Sequence, residues 1–205
     1  GNEVARLLPR LWQLPWENQH KELYWRLVLN ALPLASRMQG SAPQPCACGC
    51  PAPFPDRRHH FWDCPVATAV LSTLAAQLGG QQPSRQQLWL MRPPPGVHAG
   101  VWHAVCLAAL AAMDGGRRQL AARLLQARRA AERGSASSHP PPSPPTPTQL
   151  VPAAQRHAVA RFWDLLQDLC AIGTAPTAWQ RQLPAEHPFI RWDAEAHCLR
   201  LLRSP

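Results

Sequence analysis

Apolar positions repeat at helical spacing along much of the chain, and each repeat ends at a proline or a glycine. Between residues 37 and 58 this period is lost, and Pro, Gly and Cys dominate. The pattern predicts the following helices in the first 133 residues: Val4 to near Pro15, 16–32, Pro65 to about Leu78, a short one over 86–91, and a longer one over 97–132 that is interrupted or bent near Gly115 and Gly116.

Prolines crowd residues 140–147, which predicts a disordered, proline-rich linker over 134–151. Beyond it, the apolar spacing from Val159 to Leu169 predicts one short helix. Alternating runs at 189–192 and 198–202 predict a β-hairpin. The predicted fold is therefore mainly α. Its expected regions are a small domain over 1–80, a helical extension over 81–133, the linker over 134–151, and a C-terminal helix with its tail over 152–205.

The amino-acid composition predicts a modest hydrophobic core and gives the chain a basic net charge. Apolar residues make up 46% of the chain, but many of them are alanines, which bury little area, and 24 residues are prolines. The net charge of +9 favours a polyanionic partner such as RNA or DNA. Because Lys21 is the only lysine, an arginine-rich coding bias is an alternative explanation of that charge.

Seven cysteines, an odd number, argue against a secreted disulfide framework. Cys106 and Cys170 lie in apolar helical runs, where cysteine is usually a small buried hydrophobe. We expect an intracellular, reducing compartment and no membrane partner, because neither a signal peptide nor an apolar run of membrane length is present. The start at Gly1 suggests a piece of a longer protein.

Four other cysteines form a cluster with two histidines between residues 46 and 64. Zinc binds four thiolate or imidazole ligands in a tetrahedron, usually as two short pairs joined by a loop. The predicted ligands are Cys46, Cys48, His59 and Cys64, with Cys50 and His60 as alternates. Gly49 would let the chain fold back after the cysteines.

A closed, structural Zn²⁺ site of the CCHC type is the favoured interpretation of this cluster. A catalytic zinc would keep an open position and a nearby carboxylate base. Asp56 and Asp63 are near in sequence, but no His-x-Glu pattern accompanies them. The alternative is a set of unconnected thiols and surface histidines in a proline-rich loop.

Four sequence blocks in this region resemble the zinc-binding domain that follows the polymerase in non-LTR (LINE-type) retrotransposon reverse transcriptases. The resemblance covers roughly residues 10–78. Its matching blocks are Leu11-Trp12-Gln13-Leu14; Leu23-Tyr24-Trp25-Arg26-Leu27 with Ala31-Leu32-Pro33; Cys46-Ala47-Cys48-Gly49; and His59-His60-Phe61-Trp62-Asp63-Cys64-Pro65-Val66-Ala67. Two departures are visible: the first cysteine pair is one residue short, and His60 replaces an apolar residue.

This resemblance implies a partner and a setting. Such domains are thought to engage the element's RNA or its target DNA, and the upstream polymerase domain of the same polyprotein would be a further partner. The parent protein would be an RNA-directed DNA polymerase, and its location would be the nucleus. The fragment itself is expected not to be an enzyme, because its sequence carries no polymerase Asp-Asp pair and no acidic cluster of a nuclease or RNase H.

Arginines of the predicted long helix are the candidate contacts to nucleic acid. They are Arg117, Arg118, Arg123, Arg128 and Arg129. Trp62, beside the ligands, is a candidate for stacking on an unpaired base or for covering the metal. Trp12 and Trp25 are expected in the core instead, because their neighbours are apolar at helical spacing.

The function predicted from the sequence is a non-catalytic, zinc-binding, nucleic-acid-binding region of a retrotransposon reverse transcriptase. One alternative is a structural or protein-interaction module in which zinc only holds helices together. A decayed element fragment without present function is another.

Overall fold

Helices and one β-hairpin make up the part of the chain that the structure, a computed structural model, describes: residues 2–32, 45–51, 55–134, 145–170, 183, 187–193 and 195–203. The elements are α1 (Asn2–Gln13), α2 (Asn18–Val28), a π-helical segment (His59–Asp63), α3 (Pro65–Gln77), α4 (Arg85–Trp89), α5 (Ala99–Gly134), α6 (Pro147–Leu169), β1 (Ile190–Asp193) and β2 (Cys198–Leu201). The mainly helical class with a small sheet is confirmed.

The core is built around the first half of α5, which packs against α2, α3 and α6. Every residue from Ala104 to Leu110 is buried. Trp102, fully buried, donates a hydrogen bond from Nε1 to the Gln87 carbonyl oxygen at 3.0 Å. Cys106 and Cys170 are buried, as predicted. The expectation that the chain has no apolar run of membrane length was wrong, because by length and composition α5 is apolar enough to cross a membrane. Of its apolar window, 67% is buried inside the protein, as in a core helix.

A close helix crossing explains why α5 runs unbroken through Gly115 and Gly116, where the sequence predicts an interruption or bend. A Cβ atom added at Gly116 would lie 2.8 Å from the Ala158 Cβ and 2.9 Å from the Val66 Cγ1. This glycine therefore lets α3 and α6 approach α5. The predicted interruption was wrong, because tertiary packing outweighs the weak helix propensity of glycine.

Helix α6 begins at Pro147, inside the stretch predicted as linker. Proline suits the first turn of a helix, since its missing N–H has no helical partner there. The Thr146 N–H also donates to the Gln149 Oε1 at 2.9 Å, as in a capping box. The predicted linker residues 135–144 lie outside the described residues.

The predicted hairpin is confirmed as β1 and β2, paired antiparallel with Ile190 opposite Leu201. Its turn is closed by Asp193, whose Oδ1 accepts hydrogen bonds from the Glu195 and Ala196 N–H groups at 3.0 Å. Phe189, just before β1, is buried against Trp102, with 6.4 Å between ring centroids. The hairpin is thus part of the core's edge.

Lys21 closes the connection from α1 to α2. Its side chain is buried, and Nζ donates to the carbonyl oxygens of Trp12 at 3.2 Å and Leu14 at 2.7 Å. Trp12 itself is 42% exposed, so its predicted core position is wrong, while Trp25 is half-buried. The ring of Trp12 lies 6.3 Å from that of Trp25 on the outer side of α1 and α2.

We expect Gly116→Ala to destabilise the fold by about 1–3 kcal/mol, because the new methyl group would overlap two packed side chains. The matched control is Gly115→Ala, which would meet nothing within 4 Å. That control should stabilise α5 by about 0.5–1 kcal/mol through helix propensity. Urea denaturation of both variants checks this; equal effects at the two positions would contradict the packing argument.

Candidate metal centre

The first half of the candidate site is a turn formed by residues 46–49. The Gly49 N–H donates to the Cys46 carbonyl oxygen at 2.9 Å, and Gly49 has φ +73°, a conformation that favours glycine. A Cβ at Gly49 would lie 3.4 Å from the Pro147 Cβ at the start of α6. The turn therefore directs the cysteines on either side of Gly49 back toward the core, as the sequence predicts.

The second half is a π-helical segment that ends at Cys64. Asp56 begins it by accepting the His59 N–H on Oδ1 at 2.8 Å. At its other end, the Cys64 N–H donates to the His59 carbonyl oxygen at 2.8 Å. Because this bond joins residues five apart, His59 and Cys64 lie one turn apart and can face the same point. Such segments are rare and are frequently found at functional sites.

The two halves meet in a group of four ligand atoms. One side-chain atom from each of Cys46, Cys50, His59 and Cys64 lies within 4.8 Å of the others. The Sγ atoms of Cys46 and Cys64 are 3.7 Å apart. Zn–S bonds of about 2.3 Å in a tetrahedron place two sulfurs about 3.8 Å apart. The cluster therefore has the ligand types and the spacing of a site that can hold a metal ion such as zinc.

Cys48 lies at the edge of this group. Its Sγ is 3.3 Å from the Cys64 Sγ, although Cys48 does not belong to the set of four. The sequence favours Cys48 as a ligand with Cys50 as the alternate, and the structure brings Cys50 into the mutual group. The assignment of Cys48 stays a prediction. Sequence periodicity could not have shown whether Cys48 or Cys50 is the ligand, because side-chain direction in an irregular loop depends on the tertiary contacts of that loop.

Burial and close contact with one another change the pKa values of these thiols. Cys46 and Cys64 are buried, and Cys48, Cys50 and His59 are half-buried. Hydrogen bonds from Cys48 and Cys64 lower the pKa of Cys46, and the hydrogen bond to Cys46 raises the pKa of Cys48. Burial, followed by the charges of Cys46 and Cys64, raises the pKa of Cys50 to about 12. Cysteine thiols this close together share protons unless a cation lies among them and favours their thiolate forms.

The imidazoles add an observation that fits a metal. His59 Nε2 and His60 Nδ1 are buried, and neither has a hydrogen-bond partner among the described residues. A buried polar atom without a partner carries a desolvation penalty that a metal ion would remove for the histidine that binds it. His59 belongs to the group of four and His60 does not. For His60, burial and then the charge of Arg117 lower the pKa to about 4.

The predicted nucleic-acid residues fall into two classes. Arg118, Arg123, Arg128 and Arg129 are exposed on α5, and the side chain of Arg118 is 75% exposed. Arg117 differs, because its side chain is only 14% exposed and its guanidinium lies 6.0 Å from the ring centroid of Phe61 in the π-helical segment. Trp62 is half-buried. The surface role stays a prediction for the exposed arginines, and Arg117 has a different environment.

Comparison with known proteins gives no relative: no protein-family model matches the chain, and no curated protein and no solved structure matches it either. Interpretation of the cluster therefore depends on its own geometry and chemistry.

Substitution of the two competing cysteines tests which one binds metal. We expect Cys50→Ser to weaken zinc binding on the order of a hundredfold and Cys48→Ser by less than about threefold, because only Cys50 joins the four-atom group. Competition with a chromophoric chelator measures both affinities. A larger loss for Cys48→Ser would instead support the ligand set predicted from the sequence.

Proposed function

We propose that this chain is a non-catalytic nucleic-acid-binding module whose fold is held together by one Zn²⁺ ion. The observation that carries the proposal is the convergence of Cys46, Cys50, His59 and Cys64 to within 4.8 Å of one another from two separate segments. Three thiols and an imidazole are a typical ligand set for structural zinc. With four protein ligands the coordination sphere is closed, so zinc would fix the two segments and would offer no open position for a substrate.

Support for a nucleic-acid partner comes from the second half of α5. Beyond the buried Leu120, this helix is mostly exposed and carries Arg123, Arg128, Arg129 and Arg133. Closely spaced guanidinium groups on an exposed helix attract phosphates and release their counterions. The same helix contacts the π-helical segment near Arg117, so α5 connects the proposed metal site with this basic surface.

The resemblance to reverse-transcriptase zinc-binding domains supports a more specific version of the proposal. In that version the chain lies downstream of the polymerase domain of a LINE-type reverse transcriptase, acts in the nucleus, and engages template RNA or target DNA. Its support is limited to the sequence blocks between residues 10 and 78. The exposed arginines of α5 lie outside that part of the chain.

A second candidate function is a protein-interaction module in which zinc has only a structural role. Its support is a set of large apolar side chains on the surface: Trp12, Leu29, Leu125 and Trp192 are each at least 42% exposed. Leu125 lies within the basic half of α5 itself. The two functions differ in their response to salt, because phosphate contacts weaken steeply as salt rises and apolar contacts do not.

Metal analysis tests the zinc site directly. Protein purified under reducing conditions should contain about one equivalent of zinc per chain, and a strong chelator should lower its unfolding temperature, because metal binding free energy adds to folding free energy. The same chelator already saturated with zinc is the control. Less than about half an equivalent of zinc, together with unchanged unfolding after chelation, would contradict the proposal.

Binding to single-stranded RNA tests the basic surface. For Arg128→Ala with Arg129→Ala, the slope of log affinity against log salt should become shallower by about 1.4, since each phosphate contact contributes about 0.7. Arg156→Ala with Arg161→Ala, also exposed, removes the same charge from α6 and should change the slope less. Absence of RNA and DNA binding at low salt would favour the protein-interaction module.

A further inference from the structure

Arg117 lies in an environment that the other arginines of α5, all exposed, do not share. Its side chain is 14% exposed, whereas that of Arg118 on the same helix is 75% exposed. The guanidinium carbon lies 6.0 Å from the ring centroid of Phe61, between the metal-site residues His59 and Cys64 in sequence. An arginine whose side chain is mostly buried beside a candidate metal-binding segment requires a source of compensating negative charge.

Among the described residues, the ion pair of Arg117 with Asp114 compensates the positive charge of the guanidinium poorly. Its Nη2 is 3.7 Å from the Asp114 Oδ1, and Asp114 makes a shorter contact, 2.7 Å, with Arg118. The Nε of Arg117 is buried without a hydrogen-bond partner among the described residues. A guanidinium that is removed from water and left with one long, shared ion pair destabilises the folded protein.

Helix α5 contacts the π-helical segment, and the Arg117 guanidinium is the group of α5 that lies over its Phe61 ring. Burial lowers the pKa of Arg117, while Asp114 and then Cys64, Cys46 and Cys48 raise it. By position, Arg117 lies beside the π-helical segment that carries His59 and leads directly into Cys64.

We propose that Arg117 is a positioning residue of the metal centre, whose guanidinium balances the negative charge that the ligated thiolates retain and thereby binds α5 to the metal-binding segments. This inference rests on the proposed zinc site. Three thiolates, one imidazole and one Zn²⁺ give the site a net charge of −1. If Cys48 replaced His59 as the fourth ligand, the net charge would be −2. Outer partners that balance or orient metal ligands are commonly needed for full affinity.

A dependence on metal distinguishes this role from simple packing. With zinc bound, the thiolates supply the negative charge that Arg117 lacks. Without zinc, nothing holds three thiolates together at this place, and the ion pair that the described residues give the guanidinium is its long contact with Asp114. The stabilising contribution of Arg117 should therefore be present in the zinc-loaded protein and small or absent in the metal-free protein.

The test compares Arg117→Met, which keeps the apolar stem but removes the charge, with Arg117→Lys, which keeps the charge. Arg118→Met is the matched control, because it has the same chemistry, lies one residue away and shares Asp114. Zinc affinity is measured by competition with a chelator, and urea unfolding is measured with and without zinc. We expect Arg117→Met to weaken zinc binding about tenfold and Arg117→Lys by less than about threefold. Arg118→Met should leave it within about twofold of the parent.

Each outcome has a defined meaning. Zinc affinity of Arg117→Met within about twofold of the parent would overturn the inference, and so would equal destabilisation by Arg117→Met with and without zinc. Equal losses for Arg117→Met and Arg117→Lys would overturn it too, because charge would then not be the cause. If Arg117→Met fails to fold, Arg117→Gln, which is polar but uncharged, replaces it with the same expected loss of about tenfold, and Arg117→Lys stays the charged control. A parent protein that binds no zinc would refute the proposed function itself, which is a separate result.

Discussion

The meeting of thiols and an imidazole from two segments is the interaction on which the arrangement of this protein depends. Residues 45–51 contain no helix or strand. They approach the rest of the molecule through the sulfurs of Cys46, Cys48 and Cys50, and at Gly49, where an added Cβ would lie 3.4 Å from the Pro147 Cβ. On the other side, Cys64 both completes the group and immediately precedes α3. Metal–ligand bonds from these four side chains would therefore determine where residues 45–51 lie relative to the core.

Helix α5 carries that local arrangement to the rest of the molecule. Its first half fills the core, Gly116 allows α3 and α6 to approach, and Arg117 reaches the π-helical segment. Its second half leaves the core and presents the exposed arginines. Because one continuous helix includes all these features, metal binding and the orientation of the basic surface are physically connected in the function we propose.

Local patterns in the sequence were sufficient for most of the secondary structure. The boundaries of α3 and of the hairpin follow from apolar spacing together with Pro65, Gly79 and Asp193, since periodicity and turn chemistry act over a few residues. The start of α6 was missed because proline-rich composition predicts a linker, although proline is also suited to a first helical turn. The exposure of Trp12 was missed because apolar neighbours do not reveal which face of a short helix is covered.

By itself, the sequence determined the helical class, the hairpin, and the presence of a cysteine–histidine cluster between residues 46 and 64. Only the tertiary structure decided that Cys50 joins Cys46, His59 and Cys64, and that Gly116 lies in a helix crossing. It also decided that the side chain of Arg117 is mostly covered while that of Arg118 is exposed. The physical reason is the range of the interactions. Helix and turn preferences are local, whereas side-chain direction and burial depend on contacts between segments far apart in the chain.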